Sequence, residues 1–224
     1  MIAPYEVDMG IVESKFRQLR SPVRLVFFTR ESHCVHCRQA ERLYERLASV
    51  TQKIAFRSYN FAIDEEKDAE YGVFAVPAVA LIGKQDYGIR YYCCPQGVEL
   101  YNFLDDIVLV STGAHRLSET ILRTLEEIVD PVQLKVFISP GCPYSLPVAR
   151  LAMKLAVASD SIAVDIIDAG MFTDLVGRYK LKGIPMTIVN DKYGFYGALD
   201  MVEYVEQVVA LQQEEEIDRI LRYI

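Results

Sequence analysis

No stretch of this 224-residue chain approaches the ~18 uninterrupted apolar residues that a membrane-spanning helix requires. Its opening residues, Met1 to Asp8, lack the basic and apolar segments of a secretory leader. Runs of five like charges are missing before the tail, and 24 basic residues face 31 acidic ones, a formal charge of -7. That balance argues against nucleic acid or an anionic membrane surface as a partner. The chain is therefore expected to be soluble and cytoplasmic. Cysteine is sparse as well: five residues, an odd count, in no arrangement that would staple a small secreted domain. Tryptophan is absent and asparagine is scarce.

What is present is repetition. Cys34-Val35-His36-Cys37 precedes Pro77 by the same interval that separates Cys142-Pro143-Tyr144-Ser145 from Pro185, and the two copies stand 108 positions apart. Tyr71, Val73, Val76 and Pro77 overlie Tyr179, Leu181, Ile184 and Pro185 without a gap. Such self-similarity points to one folding unit written twice, and the length suffices for two domains of about 110 residues, each near the lower limit for closing its own core. We expect domains at residues 1–115 and 116–224, with the seam at 111–115 and His115 as a surface linker residue.

Hydrophobic periodicity supports the same division. In the first half it predicts a helix over 11–20, a buried strand over 23–29, and a helix after Cys34 with Leu43 and Leu47 on its apolar side. A strand over 54–61, a polar helix over 64–71, strands over 79–82 and 89–93 and a helix over 97–110 follow. The second half predicts a helix over 118–129, a strand over 134–138, a helix after Cys142 and a strand over 162–167. A helix over 172–179, strands over 186–189 and 194–198 and a helix from Met201 complete it. Each half reads β-α-β-α-β-β-α behind an extra helix, an α/β fold with a central mixed sheet. Residues 214–224 read as an acidic helical extension.

A Cys-x-x-Cys without further ligands at zinc-like spacing favours redox chemistry over metal binding. Residues three apart on a helix lie about 5–6 Å from each other, so Cys34 and Cys37 can be bridged without moving the backbone. A cysteine at a helix start has its thiolate stabilised by unpaired amides and the helix dipole. That makes Cys34 the nucleophile and the more interior Cys37 the resolving thiol. Cys142 faces Ser145, which cannot form a disulfide; it is a one-thiol site, open to residual thiol exchange or to retirement. His36 and His33, with Arg30 and Arg38, are protonatable or positive groups able to tune Cys34. Cys93 and Cys94 are expected to end a strand near the first site's rim, as buried small hydrophobes rather than relays.

A strand leading to a Cys-x-x-Cys that opens a helix, with an apolar-Pro step before the third strand, resembles the thioredoxin and glutaredoxin fold. Cys142-Pro143-Tyr144 is similar to the glutaredoxin form. The tandem arrangement, with Tyr87-Gly88-Ile89-Arg90-Tyr91-Tyr92 and Pro95-Gln96-Gly97-Val98-Glu99, resembles the two-domain protein disulfide oxidoreductases of hyperthermophiles. His36 before Cys37 is similar to a strongly oxidising relative. The resemblance implies cis bonds at Val76-Pro77 and Ile184-Pro185, and substrate-binding roles for these four residues and Tyr144, with an extended substrate strand recognised through its backbone. It also marks departures: Ser145 where a second cysteine is usual, Cys93-Cys94 where glycine and an aliphatic residue are usual, and no tryptophan before either motif. The acid that thioredoxin buries before its motif is replaced by Phe28 and Val136, leaving Glu31 and Glu41 nearby in sequence.

These features imply a thiol-disulfide oxidoreductase that reduces, oxidises or isomerises protein disulfides through Cys34 and Cys37, with catalytic roles for those two and for Cys142. No metal or organic cofactor is required by this reading. Implied partners are disulfide-containing proteins and a flavin-dependent reductase of the thioredoxin reductase kind. The alternatives are an electron donor to a peroxiredoxin and, through Cys142, a glutathione-dependent monothiol exchanger or an iron-sulfur carrier.

Overall fold

The structure, a computed structural model, describes residues 8–212. The chain separates into two compact units, Met1–Ala114 and His115–Ile224. The extension expected over 214–224 lies outside the described residues. In the first unit α1 (Met9–Phe16) leads to β1 (Val23–Thr29), α2 (Cys37–Ala48), β2 (Ile54–Asn60), α3 (Glu65–Tyr71), β3 (Ala78–Ile82), β4 (Asp86–Tyr92) and α4 (Val98–Thr112). In the second, α5 (Glu119–Leu125) leads to β5 (Val132–Ile138), α6 (Ser145–Ala158), β6 (Ile162–Asp168), α7 (Thr173–Arg178), β7 (Met186–Val189), β8 (Tyr193–Tyr196) and α8 (Met201–Gln212).

Strand order within the first unit is β2-β1-β3-β4 and within the second β6-β5-β7-β8. Each leading strand pairs parallel with the second strand and antiparallel with the third. Both units are thus α/β with a mixed sheet flanked by helices, as the periodicity predicts. The central strands are buried along residues 25–28 of β1 and 136–138 of β5, which is why these stretches read as consecutive apolar residues rather than alternating ones. Leu25, Val26, Phe27 and Phe28 are buried in β1, and Leu134, Val136, Phe137 and Ile138 in β5. α2 buries Ala40, Leu43, Tyr44 and Leu47 and packs on β1 and β2; its charges fill the opposite side.

Helix ends differ from the periodic reading where capping decides them. The Asp8 carboxylate accepts from the Gly10 and Ile11 amides and starts α1 earlier than residue 11. Ser118 likewise caps α5, its hydroxyl accepting from Ile121 N–H, and the helix stops at Leu125, short of the apolar stripe's end. His115 is half-buried rather than a plain surface linker, its Nδ1 accepting from Leu117 N–H.

The repeat holds at the level of single hydrogen bonds. Val73 N–H donates to Asp68 C=O at 2.8 Å, and Leu181 N–H to Val176 C=O at 3.0 Å. Between them Gly72 and Lys180 occupy the same left-handed backbone, φ 63° and 52°. Only glycine adopts that conformation without a side-chain penalty, so the second copy carries a cost there that the first avoids.

One offset does not hold. β3 and β7 keep the 108-residue spacing, but Phe28 pairs with Ala78 while Phe137 pairs with Met186, so β1 and β5 are 109 apart. The loop from β1 to Cys34 is therefore one residue longer than that from β5 to Cys142, and it contains His33 at φ 59°. The position equivalent to Phe28 is accordingly Phe137, not Val136. Phe28 packs on Tyr71 with ring centroids 5.8 Å apart, and Phe137 on Tyr179 at 5.5 Å. An aromatic pair fills the space in both units where the resemblance places a buried acid.

Candidate active site

In the first unit Cys34 and Cys37 form a disulfide, with Cα atoms 5.4 Å apart. That distance lies in the range the three-residue spacing predicts. Cys34 is partly exposed, and Cys37 is 1% exposed. The pair straddles the start of α2, whose N-cap is His36 and whose first helical residue is Cys37. Cys34 thus precedes the helix instead of opening it, a correction to the sequence reading. The same holds in the second unit, where Tyr144 is the N-cap of α6 and Ser145 its first residue.

At the second site the groups that act on the sulfur are visible one by one. The Cys142 thiol is held below its ordinary pKa, first by a hydrogen bond from the Ser145 hydroxyl and then by backbone N–H groups of Tyr144 and Ser145, against partial desolvation. These are amides of the turn, closed by Ser145 N–H donating to Cys142 C=O at 3.2 Å. Ser145 is fully buried, and its oxygen accepts from Ser139 N–H at 3.2 Å. With that N–H fixed on the oxygen, the hydroxyl proton is aimed at the sulfur. The sequence identifies Ser145 only as a missing sulfur; that it is buried at a cysteine's place, one turn from Cys142, is the signal that could have revealed the donor.

The apolar-Pro steps stand beside both motifs. Val76-Pro77 and Ile184-Pro185 are both cis. They introduce β3 and β7, which pair with the ends of β1 and β5 that feed the two cysteine loops. The Cys142 thiol donates to the Ile184 carbonyl at 3.6 Å, a contact within the wider reach of sulfur. Val76 and Ile184 are partly exposed while Pro77 and Pro185 are buried. Tyr144 is 62% exposed next to Cys142.

Of the tuning groups, His33 is exposed in the loop and His36 half-buried at the helix cap. A polar cleft at Cys34 is lined by Arg30, Glu31, Val35, Arg38, Glu41, Ser58 and Asp64. It brings Glu31 and Glu41 to the same cleft as Cys34, and Glu41 accepts from the Ser58 hydroxyl at 2.7 Å. Cys93 and Cys94 follow β4 and are 2% and 1% exposed. They lie inside, not at a rim, beside Tyr44, whose hydroxyl donates to the Cys93 carbonyl at 3.4 Å. Among the described residues no group of three His, Cys, Asp or Glu side chains is placed to hold a metal. No described helix is long and apolar enough to cross a membrane.

This arrangement can do two kinds of thiol chemistry: two-electron cycling at a dithiol pair and one-thiol exchange at an activated lone cysteine. Comparisons with known proteins find likeness in family and fold. The family described as thioredoxin domain matches residues 132–210, which is the unit whose motif holds a single cysteine. A probable thioredoxin of Archaeoglobus fulgidus is 30% identical over 88 residues, covering 38% of this chain and 94% of that one. Among solved structures, a protein disulfide oxidoreductase from Aeropyrum pernix is 20% identical with a TM-score of 0.80, covering 93% of this chain and 96% of that one. The AhpF component of an alkylhydroperoxide reductase from Enterococcus faecalis is 19% identical with a TM-score of 0.81, covering 91% and 99%. At these identities the two structures speak for the fold over nearly the whole chain.

Proposed function

The chain belongs to the thioredoxin family, and from that premise we propose that it is a cytoplasmic oxidoreductase of protein disulfides whose working centre is the Cys34–Cys37 pair. The observation that carries this is asymmetric exposure across a closed disulfide: Cys34 reachable, Cys37 buried. In the reducing direction the Cys34 thiolate attacks one sulfur of the substrate and displaces the other as a thiolate, forming a mixed disulfide. Cys37 then loses its proton and attacks the Cys34 sulfur, closing the protein disulfide and releasing the second substrate thiol. Two electrons pass to the substrate, and the reverse sequence oxidises it. Phe28 occupies the place of a buried acid, so the proton of Cys37 leaves through the polar cleft, where Glu31, Glu41 and Asp64 are the carboxylates. The Val76-Pro77 and Ile184-Pro185 steps receive an extended substrate strand.

A flavoprotein reductase of the thioredoxin reductase kind would return the pair to its dithiol state. The likeness to an alkylhydroperoxide reductase component supports a peroxiredoxin as one electron acceptor. The hydroxyl donor on Cys142 favours a second reading for that site, thiol exchange with glutathione mixed disulfides, over retirement.

Turbidity from insulin reduction by dithiothreitol tests the main reading. C34S should abolish the catalysed rate, and C142S should leave most of it. Full activity in C34S would refute the assignment.

A further inference from the structure

One face of the first unit carries charge of the sign opposite to that of the whole chain. Arg38, Arg42 and Arg46 recur every four residues of α2 and are all exposed, so they form one stripe. Like charges at this spacing repel, and none of the three is ion-paired among the described residues. Glu41, on the adjoining stripe, accepts from Ser58 and lines the other cleft; Glu45 is exposed beside it. Next to the arginines opens a groove of about 510 Å3, lined by Val35, Leu43, Pro95 and Leu100 together with the stripe. Leu43 and Leu100 are buried and form its floor, whereas Val35 is 89% exposed. Val35 and Arg38 also line the cleft that holds Cys34, so groove and disulfide are continuous.

We propose that this groove docks an acidic peptide segment of the disulfide-bearing substrate, an apolar side chain resting on Leu43, Pro95 and Leu100 and carboxylates meeting Arg42 and Arg46. The inference rests on Cys34–Cys37 being the redox pair and adds the chemical class of its client. Charge complementarity commits it to an acidic occupant, and the apolar floor to a peptide: three cations around a hydrophobic trough match a segment mixing carboxylates with a leucine-like side chain. On a chain with net charge -7, such a basic stripe also biases the orientation in which an acidic segment approaches.

Two quenched fluorescent peptide disulfides decide it, identical except that three glutamates in one replace three lysines in the other, each with a leucine beside the cysteine. The reduced full chain should act on the acidic peptide about tenfold faster or more at low salt, and the preference should shrink severalfold in ~0.5 M salt. R42E/R46E should invert the ratio. Because each ratio is taken within one protein, a loss of folded fraction cancels. A wild-type ratio near one, or a ratio unmoved by R42E/R46E, overturns the proposal. If neither peptide is reduced, the redox reading fails, and docking is read separately from the anisotropy of a labelled, cysteine-free acidic peptide. Binding that R42E/R46E abolishes supports the groove, and no binding overturns it. Displacement of that peptide by an equimolar oligonucleotide also overturns it, as does tenfold tighter binding after truncation at Gln212, which would make the tail residues Glu214 to Glu216 the occupant.

Discussion

Removing the Ser145 hydroxyl should move the reactivity of Cys142 by a calculable amount. In Ser145→Ala the sulfur loses its hydroxyl donor while the amides of Tyr144 and Ser145 remain. A hydrogen bond to a charged group contributes about 1.5–3 kcal/mol, and solvent around the partly exposed sulfur lowers that figure. About 1.4 kcal/mol corresponds to a tenfold change in the thiolate population. The donor favours the charged thiolate, so its loss raises the thiol pKa. At a pH below both values the thiolate population then falls about tenfold, while each remaining thiolate gains ~3-fold in nucleophilicity for a Brønsted slope of about 0.4–0.5. The net expectation is alkylation ~3–4-fold slower. The oxidised protein suits the assay: Cys34 and Cys37 are tied up, and Cys93 and Cys94 are buried. Iodoacetamide labelling against pH, with the modified peptide mapped by mass, reads Cys142 directly. A midpoint that stays put or falls in S145A would refute the hydroxyl's role.

Ser145→Cys should convert the second site to a dithiol, since Ser145 is buried one turn from Cys142 as Cys37 is from Cys34. Mild oxidation followed by mass mapping should find a 142–145 disulfide; its absence would mean that the site resists closure. Lys180→Gly should stabilise the second unit by about 1 kcal/mol or less, since it relieves a left-handed lysine, whereas Gly72→Lys should destabilise the first; urea midpoints measure both. Asp191 takes bonds from the Lys135 ammonium and, at 2.6 Å, from the Tyr179 hydroxyl. Burial opposes its charge, but these partners hold its carboxyl below the ordinary value and raise the Tyr179 hydroxyl. A depressed carboxylate contributes stability above its unfolded pKa of about 3.9 and loses it as pH falls through the folded value. D191N should therefore cost about 1–2 kcal/mol at pH 7 and progressively less below pH 4, which denaturation at both pH values will show.

The fold was legible because its signals are local and repeated. Two apolar strand runs, two helices opening beside a thiol motif and two apolar-Pro steps fall in register, and residues 25–28 of β1 and 136–138 of β5 are apolar and buried. What escaped depends on three-dimensional accounting. The ungapped alignment of the copies put Val136 opposite Phe28, because the residue that shifts the strands lies in a loop without periodicity and is absorbed at His33. Cys34 lies three residues before the first residue of α2, because the turn that carries the motif precedes the helix. At Cys142 the amides of Tyr144 and Ser145 and the Ser145 hydroxyl act from the cap and first residue of α6. The stripe of Arg38, Arg42 and Arg46 was present in the sequence, but its meaning needed the groove formed by Pro95 and Leu100 from another element.

The two sites therefore test what one atom does on a shared scaffold. Cys37 and Ser145 occupy corresponding positions as the first residue of α2 and α6, both buried. A sulfur in that place can form the bond to its neighbour, giving up two electrons with it to the substrate; an oxygen there offers hydrogen bonds but no disulfide. The oxygen of Ser145 holds Cys142 toward its thiolate, but only a sulfur lets the first cysteine leave a mixed disulfide without outside help. A complex trapped on Cys142 should consequently persist until an external thiol arrives, whereas one formed on Cys34 should dissolve by itself, and the two lifetimes in thiol-free buffer separate the roles. Equal lifetimes would mean that Cys37 does not resolve, and the division of labour between the units would have to be abandoned.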